Sequence, residues 1–279
     1  MTLLIHSISE FSELVLGVLE HAGARHVVEI GAEYGGMSER MADHLATRSG
    51  RLTSIDPTPK PEFLDWVVGN PHVTHIAKPS LDAIPQLGDV DAWVIDGDHN
   101  YYTVLHELCA ADALASRDGK PLLAVLHDVG WPCARRDFYY APDRIPLEWR
   151  RPYSYDGGVL LDDPGIHEGR GFRGAGHFAW ALREGGPRNG VLTAVEDFRN
   201  ANQTDARPLA WASIPGVFGL GILFDASAPW AADVAQLLLP YHDNRLLATL
   251  ERNRLANYLA VLDLQDRHEA TNATERAAA

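Results

Sequence analysis

Residues 26–36 read HVVEIGAEYGG, and this stretch decides the fold. Val27, Val28 and Ile30 form a short apolar run that stops at Gly31, which is how a buried parallel strand gives way to a tight turn. Before it, residues 9–22 place Phe11, Leu14, Val15, Val18 and Leu19 at helical spacing, and after it residues 36–47 continue as a second helix. Strand, glycine turn and helix is the unit from which open parallel sheets are built. The unit recurs along the chain. Strands are predicted at 51–56 (RLTSID), 72–78 (HVTHIAK), 91–98 (DAWVIDGD) and 121–129 (PLLAVLHDV), with helices at 61–68, 80–87 and 101–115 between them.

The rhythm breaks at Gly130. From there to Gly186 the chain is rich in glycine, proline, arginine and aromatic residues, too long for a plain connection and suited to a lid over an acceptor. Regular patterning returns with a helix at 189–200 and strands at 208–214 and 218–224. The two strands are hinged at Pro215-Gly216 and read as an antiparallel pair closing the sheet edge. The expected fold is α/β: a Rossmann-like, doubly wound, seven-stranded sheet, mostly parallel with an antiparallel closing strand, and helices on both faces. One domain is expected over 1–269, with an N-terminal helical segment (1–25), the insertion (130–186) and a long C-terminal helix (230–265). The polar tail 270–279 is expected to be disordered.

The 279 residues are 46% hydrophobic, enough for one substantial core. With 24 Lys+Arg against 38 Asp+Glu the formal net charge is −14, the wrong sign for gripping nucleic acid or an anionic membrane. The two cysteines, Cys109 and Cys133, form no disulfide framework or zinc motif, and the first residues lack a signal-peptide pattern, so a soluble cytoplasmic protein is expected.

In an open parallel sheet ligands bind beyond the carboxyl ends of the strands. Those ends are where acids gather here: Glu29 on the first strand, Asp56 after the second, Asp96 and Asp98 after the fourth, Asp128 after the fifth. An acid after strand two suits a ribose diol. The glycine loop spaces Gly31-x-x-x-Gly35-Gly36, unlike the G-x-G-x-x-G turn that sets a helix against a pyrophosphate. With Glu29 and Glu33 beside it, a cofactor carrying an ammonium group and no phosphate fits better. A nicotinamide-dependent oxidoreductase is therefore the less favoured alternative. A scaffold protein with a vestigial site stays open too.

VVEIGAEYGGMSERMADHL at 27–45 resembles the first motif of class I S-adenosylmethionine-dependent methyltransferases, and SIDP at 54–57 their ribose motif. VIDGDHNYYTVLHEL and LLAVLHD resemble the subgroup with an I-D-G-D-H-x-Y segment and an H-D pair, which includes natural-product tailoring O-methyltransferases. The resemblance implies methyl transfer to a small-molecule acceptor, most naturally at a hydroxyl, with N-methylation as the alternative on the same scaffold. By the same resemblance Glu29, Gly31 and Gly35 hold the methionine portion with Tyr34 and Ser38 nearby, Asp56 takes the ribose, Ser80 borders the adenine, and Asp96 lies between cofactor and acceptor. Some relatives use a divalent cation. The matching positions are Asp96, His127 and Asp128, which would take Mg²⁺ or Mn²⁺, although His127 stands where those relatives carry an acid. His99 and His127 are the candidate bases, with Asp96 beside them. In the insertion Trp131, Arg135, Arg136, Tyr139, His167 and His177 are the candidate acceptor contacts, the arginines as a clamp for a carboxylate or phosphate. A homodimer is the default expectation from the long last helix.

Overall fold

The computed structural model describes residues 4–278, with side chains described to residue 268. Residues 1–3 of the predicted N-terminal segment and residue 279 of the predicted tail lie outside the described residues. Five parallel strands form the body of one sheet: β1 (His26–Ile30), β2 (Arg51–Ile55), β3 (Val73–Ile76), β4 (Ala92–Ile95) and β5 (Leu123–His127). They are joined through α2 (Gly36–Ala46), α3 (Pro61–Val68), the short α4 (Ser80–Ala83) and α5 (Tyr101–Asp118), after an N-terminal α1 (Ser12–His21).

All five residues of β1 and of β5 are buried, as expected for strands covered on both faces. Alternation along β1 sends Val28 and Ile30 into one core with Trp93, Leu108 and Phe198, and Val27 into the other with Val18, Met41 and Val234. Helix α5 is fixed at both ends. The Asn100 side chain accepts from the Thr103 N–H at its start, and Gly119 turns left-handed at its finish.

The insertion is ordered. β6 (Phe138–Tyr139), β7 (Tyr153–Ser154) and β10 (Ala179–Ala181) make a small antiparallel sheet, and β8 (Gly157–Leu160) with β9 (Asp163–Glu168) makes a hairpin. Two buried charged residues fasten it. Arg136 donates to the carbonyls of Ala181, Pro164 and Gly165, and Asp137 accepts from the backbone N–H groups of Tyr101 and Gly190 and from the Tyr139 hydroxyl. Phe138, Val159 and Trp180 then pack into the main core. The segment expected as a lid is packed in place: Asp137 ties it to Tyr101 and Gly190 of the body, and Arg136 ties its own segments together.

After α6 (Val191–Asn202), β11 (Leu209–Ile214) and β12 (Leu220–Asp225) complete the sheet in the order β11-β12-β5-β4-β1-β2-β3. β12 runs antiparallel to both its neighbours, which is the expected closing arrangement. The single stretch expected at 230–265 is two helices, α7 (Ala231–Leu238) and α8 (Arg245–Ala278), since Pro240 lacks the N–H that a continuous helix needs. The tail expected to be disordered continues α8 to Ala278. Its Ala, Glu and Arg residues favour helix, and no proline or glycine interrupts them. Among the described residues no helix is long and apolar enough to cross a membrane.

Candidate active site

The carboxyl ends of β1, β2, β4 and β5 converge as the sequence implies. Gly31 has φ +89° and a Cβ there would stand 2.3 Å from the Asp96 carbonyl oxygen, so the loops after β1 and β4 touch backbone to backbone. Gly35, at φ +85°, opens helix α2 with the Phe63 ring 2.8 Å from where its Cβ would be. These two glycines leave a shelf that any side chain would fill.

Asp56 holds that shelf in shape. Its Oδ2 accepts from the backbone N–H groups of Ala32 and Glu33, and its Oδ1 accepts from Thr58. Asp56, expected from sequence to take the ribose, is the staple of the glycine loop. Glu29 is buried and accepts hydrogen bonds from the hydroxyls of Ser38 at 2.6 Å and Ser54 at 2.7 Å. Ser38, predicted beside the methionine portion, is thereby spent on orienting Glu29. Burial pushes the Glu29 carboxyl up to about 7 against the pull of those two hydroxyls. Tyr34 stands exposed with Lys60 over its ring, and Ser80 donates to buried Glu107 at 2.5 Å.

At the other end of the rim, His127 is buried with both ring nitrogens engaged. Its Nε2 lies 2.8 Å from the Val217 carbonyl, which only accepts. Its Nδ1 lies 3.0 Å from Asp96 Oδ1 and 3.2 Å from Asp128 Oδ2. Every neighbour is an acceptor, which favours the charged imidazole. Burial works against that charge, but Asp96 and Asp128 overcome it and hold the imidazole well above its usual range. Asp128, at φ +60°, keeps its carboxylate ionised despite burial, because His99 and His127 both face it.

His99, the other candidate base, faces the same acid. Its Nδ1 is 3.4 Å from Asp128 Oδ2, and its ring is flanked by Phe138 and Tyr140. Asp96, His99 and Asp128 each offer a ligand atom within 4.8 Å of the others. Both carboxylates also face His127 Nδ1, whose Nε2 is anchored on a backbone carbonyl as that of a metal-ligating imidazole is, so the residues present fit a divalent ion.

The insertion residues named from sequence are mostly engaged elsewhere. Arg135 pairs with Glu196 through two contacts of 2.5 and 2.6 Å, and Arg136 is buried among carbonyls, so neither is a free clamp for an anion. The Tyr139 hydroxyl donates to Asp137, Trp131 packs against Phe172, His167 pairs with Asp163, and His177 stands exposed in a turn. Tyr140, one of the aromatic residues of the insertion, stands beside His99. Strand alternation turns Tyr139 inward and its neighbour toward His99, and that period-2 signal was available. Tyr140 is 54% exposed, yet desolvation of its hydroxyl end and the charges of Asp128, Asp96 and Glu33 hold its pKa above the ordinary value.

Sequence reading missed Glu107. It sits on the buried face of α5 with one carboxyl oxygen lacking any partner, and burial pushes it up to about 8. Glu29 and Glu107 both titrate higher in the folded chain than in the unfolded one. The unfolded state then holds fewer protons between about pH 4.5 and 8, so stability falls as pH rises through that window. Thermal unfolding is expected to show Tm declining from pH 5 to pH 8, and E107Q to flatten the slope. An unchanged slope in folded E107Q would contradict the assignment.

Residues 28–129, which span β1 to β5 and the rim just described, match a family described as a methyltransferase domain. Over these residues the chain is similar to methyltransferase domains. Similar solved structures include the O-methyltransferase from Bacillus cereus in complex with S-adenosylhomocysteine, at 15% identity, 79% of this chain and 83% of that one, with a TM-score of 0.44. Another is the O-methyltransferase TomG from Streptomyces achromogenes, involved in tomaymycin synthesis and in complex with S-adenosylmethionine, at 18% identity, 78% and 81% coverage and a TM-score of 0.43. No curated protein sequence matches this chain.

Proposed function

We propose that this methyltransferase acts on a hydroxyl of a small molecule, with His99 as general base. The observation that carries it is the Asp128–His99 pair beside Asp96, next to the glycine shelf where the donor would lie. S-adenosylmethionine supplies a methyl group already activated on a sulfonium. The protein's task is then to hold two partners in line and to remove a proton.

Glu29 and the Gly31–Gly35 shelf suit the cationic amino-acid end, and Asp56 suits the ribose hydroxyls once its loop contacts are counted. Asp128 faces His99 Nδ1, which leaves Nε2 as the nitrogen to take the acceptor's proton. Tyr140 and Phe138 wall the His99 ring and limit water there. The acidic rim and the engaged arginines favour a neutral or cationic acceptor over an anionic one. The protein is proposed to work in the cytoplasm, and a homodimer through the outer face of α8 fits its length.

Calorimetry with S-adenosylhomocysteine and with NAD tests the donor. The first is expected to bind and the second not to. D56A is expected to weaken S-adenosylhomocysteine by roughly ten- to a hundredfold, since it removes a charged acceptor and loosens the loop. Binding of NAD in place of S-adenosylhomocysteine would overturn the proposal.

A further inference from the structure

We infer that Glu251 of α8 is a positioning residue for the active-site rim: it holds the turn between β11 and β12 so that the Val217 carbonyl fixes the ring of His127. The inference rests on the rim reading above for what that ring serves. Its own claim concerns where one backbone carbonyl is kept, and it is the same whether the ring faces the two acids alone or an ion held among them.

The turn is not one the chain would take unaided. Val217 has φ +41° and Phe218 φ +66°, a conformation that a β-branched or bulky residue keeps only where its surroundings over-determine it. One side of the turn lies against the exit of β5, where the Phe218 carbonyl accepts from the Gly130 N–H and a Cβ at Gly130 would stand 2.5 Å from that oxygen. The other side is held by α8. Glu251 Oε1 accepts from the Phe218 N–H at 2.9 Å. Arg254 donates to both Glu251 oxygens, at 2.6 and 2.7 Å, and its guanidinium lies 5.1 Å from the centre of the Phe218 ring. Burial works against the charge on Glu251, but Arg254 and the Phe218 N–H hold its carboxyl below the usual range.

Between these two holds the Val217 carbonyl is presented to His127 Nε2 at 2.8 Å. A carbonyl only accepts, so this nitrogen carries a proton, and the other nitrogen is turned to Asp96 and Asp128. The partner of one ring nitrogen sets what the other can do, and losing such a partner costs about 10- to 100-fold in metal affinity or activity. The same pair on α8 reaches the ring's other flank. Arg254 donates to the Ile5 carbonyl at 2.7 Å, in the segment that runs on to Phe11, whose ring meets His127 edge to face at 6.1 Å.

What Glu251 supplies to this chain of contacts is an acceptor oxygen at the right reach. Aspartate would keep the charge beside Arg254 but fall a methylene short of the Phe218 N–H, whereas glutamine would keep the reach and the oxygen and lose the charge.

The test is the rate at which the His127 Nε2 proton exchanges with solvent, read by NMR on the full chain with ¹⁵N-labelled histidine rings and assigned by the signals missing from H127Q. Wild type is expected to exchange it at least about 100-fold more slowly than the exposed His177 exchanges its own. E251A and E251D are expected to raise the His127 rate at least about tenfold, and E251Q to stay within about threefold of wild type. A His127 signal unmoved in folded E251A would overturn the inference. So would E251Q disturbed as much as E251D, which would reduce Glu251 to an ion-pair partner within α8. If E251A does not fold, the comparison of E251D with E251Q decides, and a wild-type Nε2 proton that exchanges as fast as that of His177 overturns the inference without any variant. The spectra are read on the free protein and again with S-adenosylhomocysteine, so failure of that ligand to bind falls on the donor reading and leaves this test intact.

Discussion

Replacing His99 by alanine is expected to lower kcat by about 10²- to 10⁴-fold while leaving S-adenosylhomocysteine affinity within about twofold. The size follows from the role. A positioned base lowers the barrier only for the step in which the acceptor proton leaves, and His99 is the imidazole at the rim whose second nitrogen is not spent on Val217 or on a carboxylate. The donor shelf is formed by Gly31, Gly35 and Asp56, none of which leans on His99, so cofactor binding should be spared. H99Q keeps a polar side chain of similar reach without basicity, and its kcat should fall almost as far. A variant that loses donor affinity and rate together would show that His99 shapes the shelf and does not act as base.

The second large effect is expected at Gly31. G31A puts a methyl group 2.3 Å from the Asp96 carbonyl oxygen at φ +89°, where an L side chain is strained whatever the space. Neither neighbour is a flexible side chain that can swing aside, because the crowding atom belongs to the backbone after β4. The loops after β1 and β4 must therefore part, and they carry Glu33, Asp96 and His99 with them. Unfolding is expected to show a loss of about 2–4 kcal/mol, and calorimetry a loss of S-adenosylhomocysteine binding by more than tenfold. G23A is the matching control: Gly23 also has positive φ, but nothing lies within 4 Å of its would-be Cβ. It should cost only the local backbone strain, about 1 kcal/mol, and leave binding intact. Equal effects at both positions would show that strain alone matters and that the loop contact does not.

The sheet was legible because its signal is local. Apolar runs such as Val27–Ile30 end in glycine or acid, and each strand reports its own burial without knowledge of its neighbours. The rim acids were legible for the same reason: a strand end is a position in the sequence. The helix break at Pro240 was equally local and was overlooked among the leucines around it. The insertion was not legible, since Arg136 reads as an anion clamp and nothing local marks it or Asp137 as buried until their partners arrive from residues 164, 181 and 190.

By itself, then, the sequence determined a doubly wound sheet with a glycine shelf and acids on one edge, features carried by residues close together in the chain. Only the tertiary structure decided what each histidine faces. His99 and His127 lie at the ends of adjacent strands with similar neighbours in sequence. They are told apart by Val217, ninety residues beyond His127, whose carbonyl takes one nitrogen of His127 and turns the other to Asp96 and Asp128. A proton's place on an imidazole is set by what each nitrogen faces, and what it faces is a property of the folded chain.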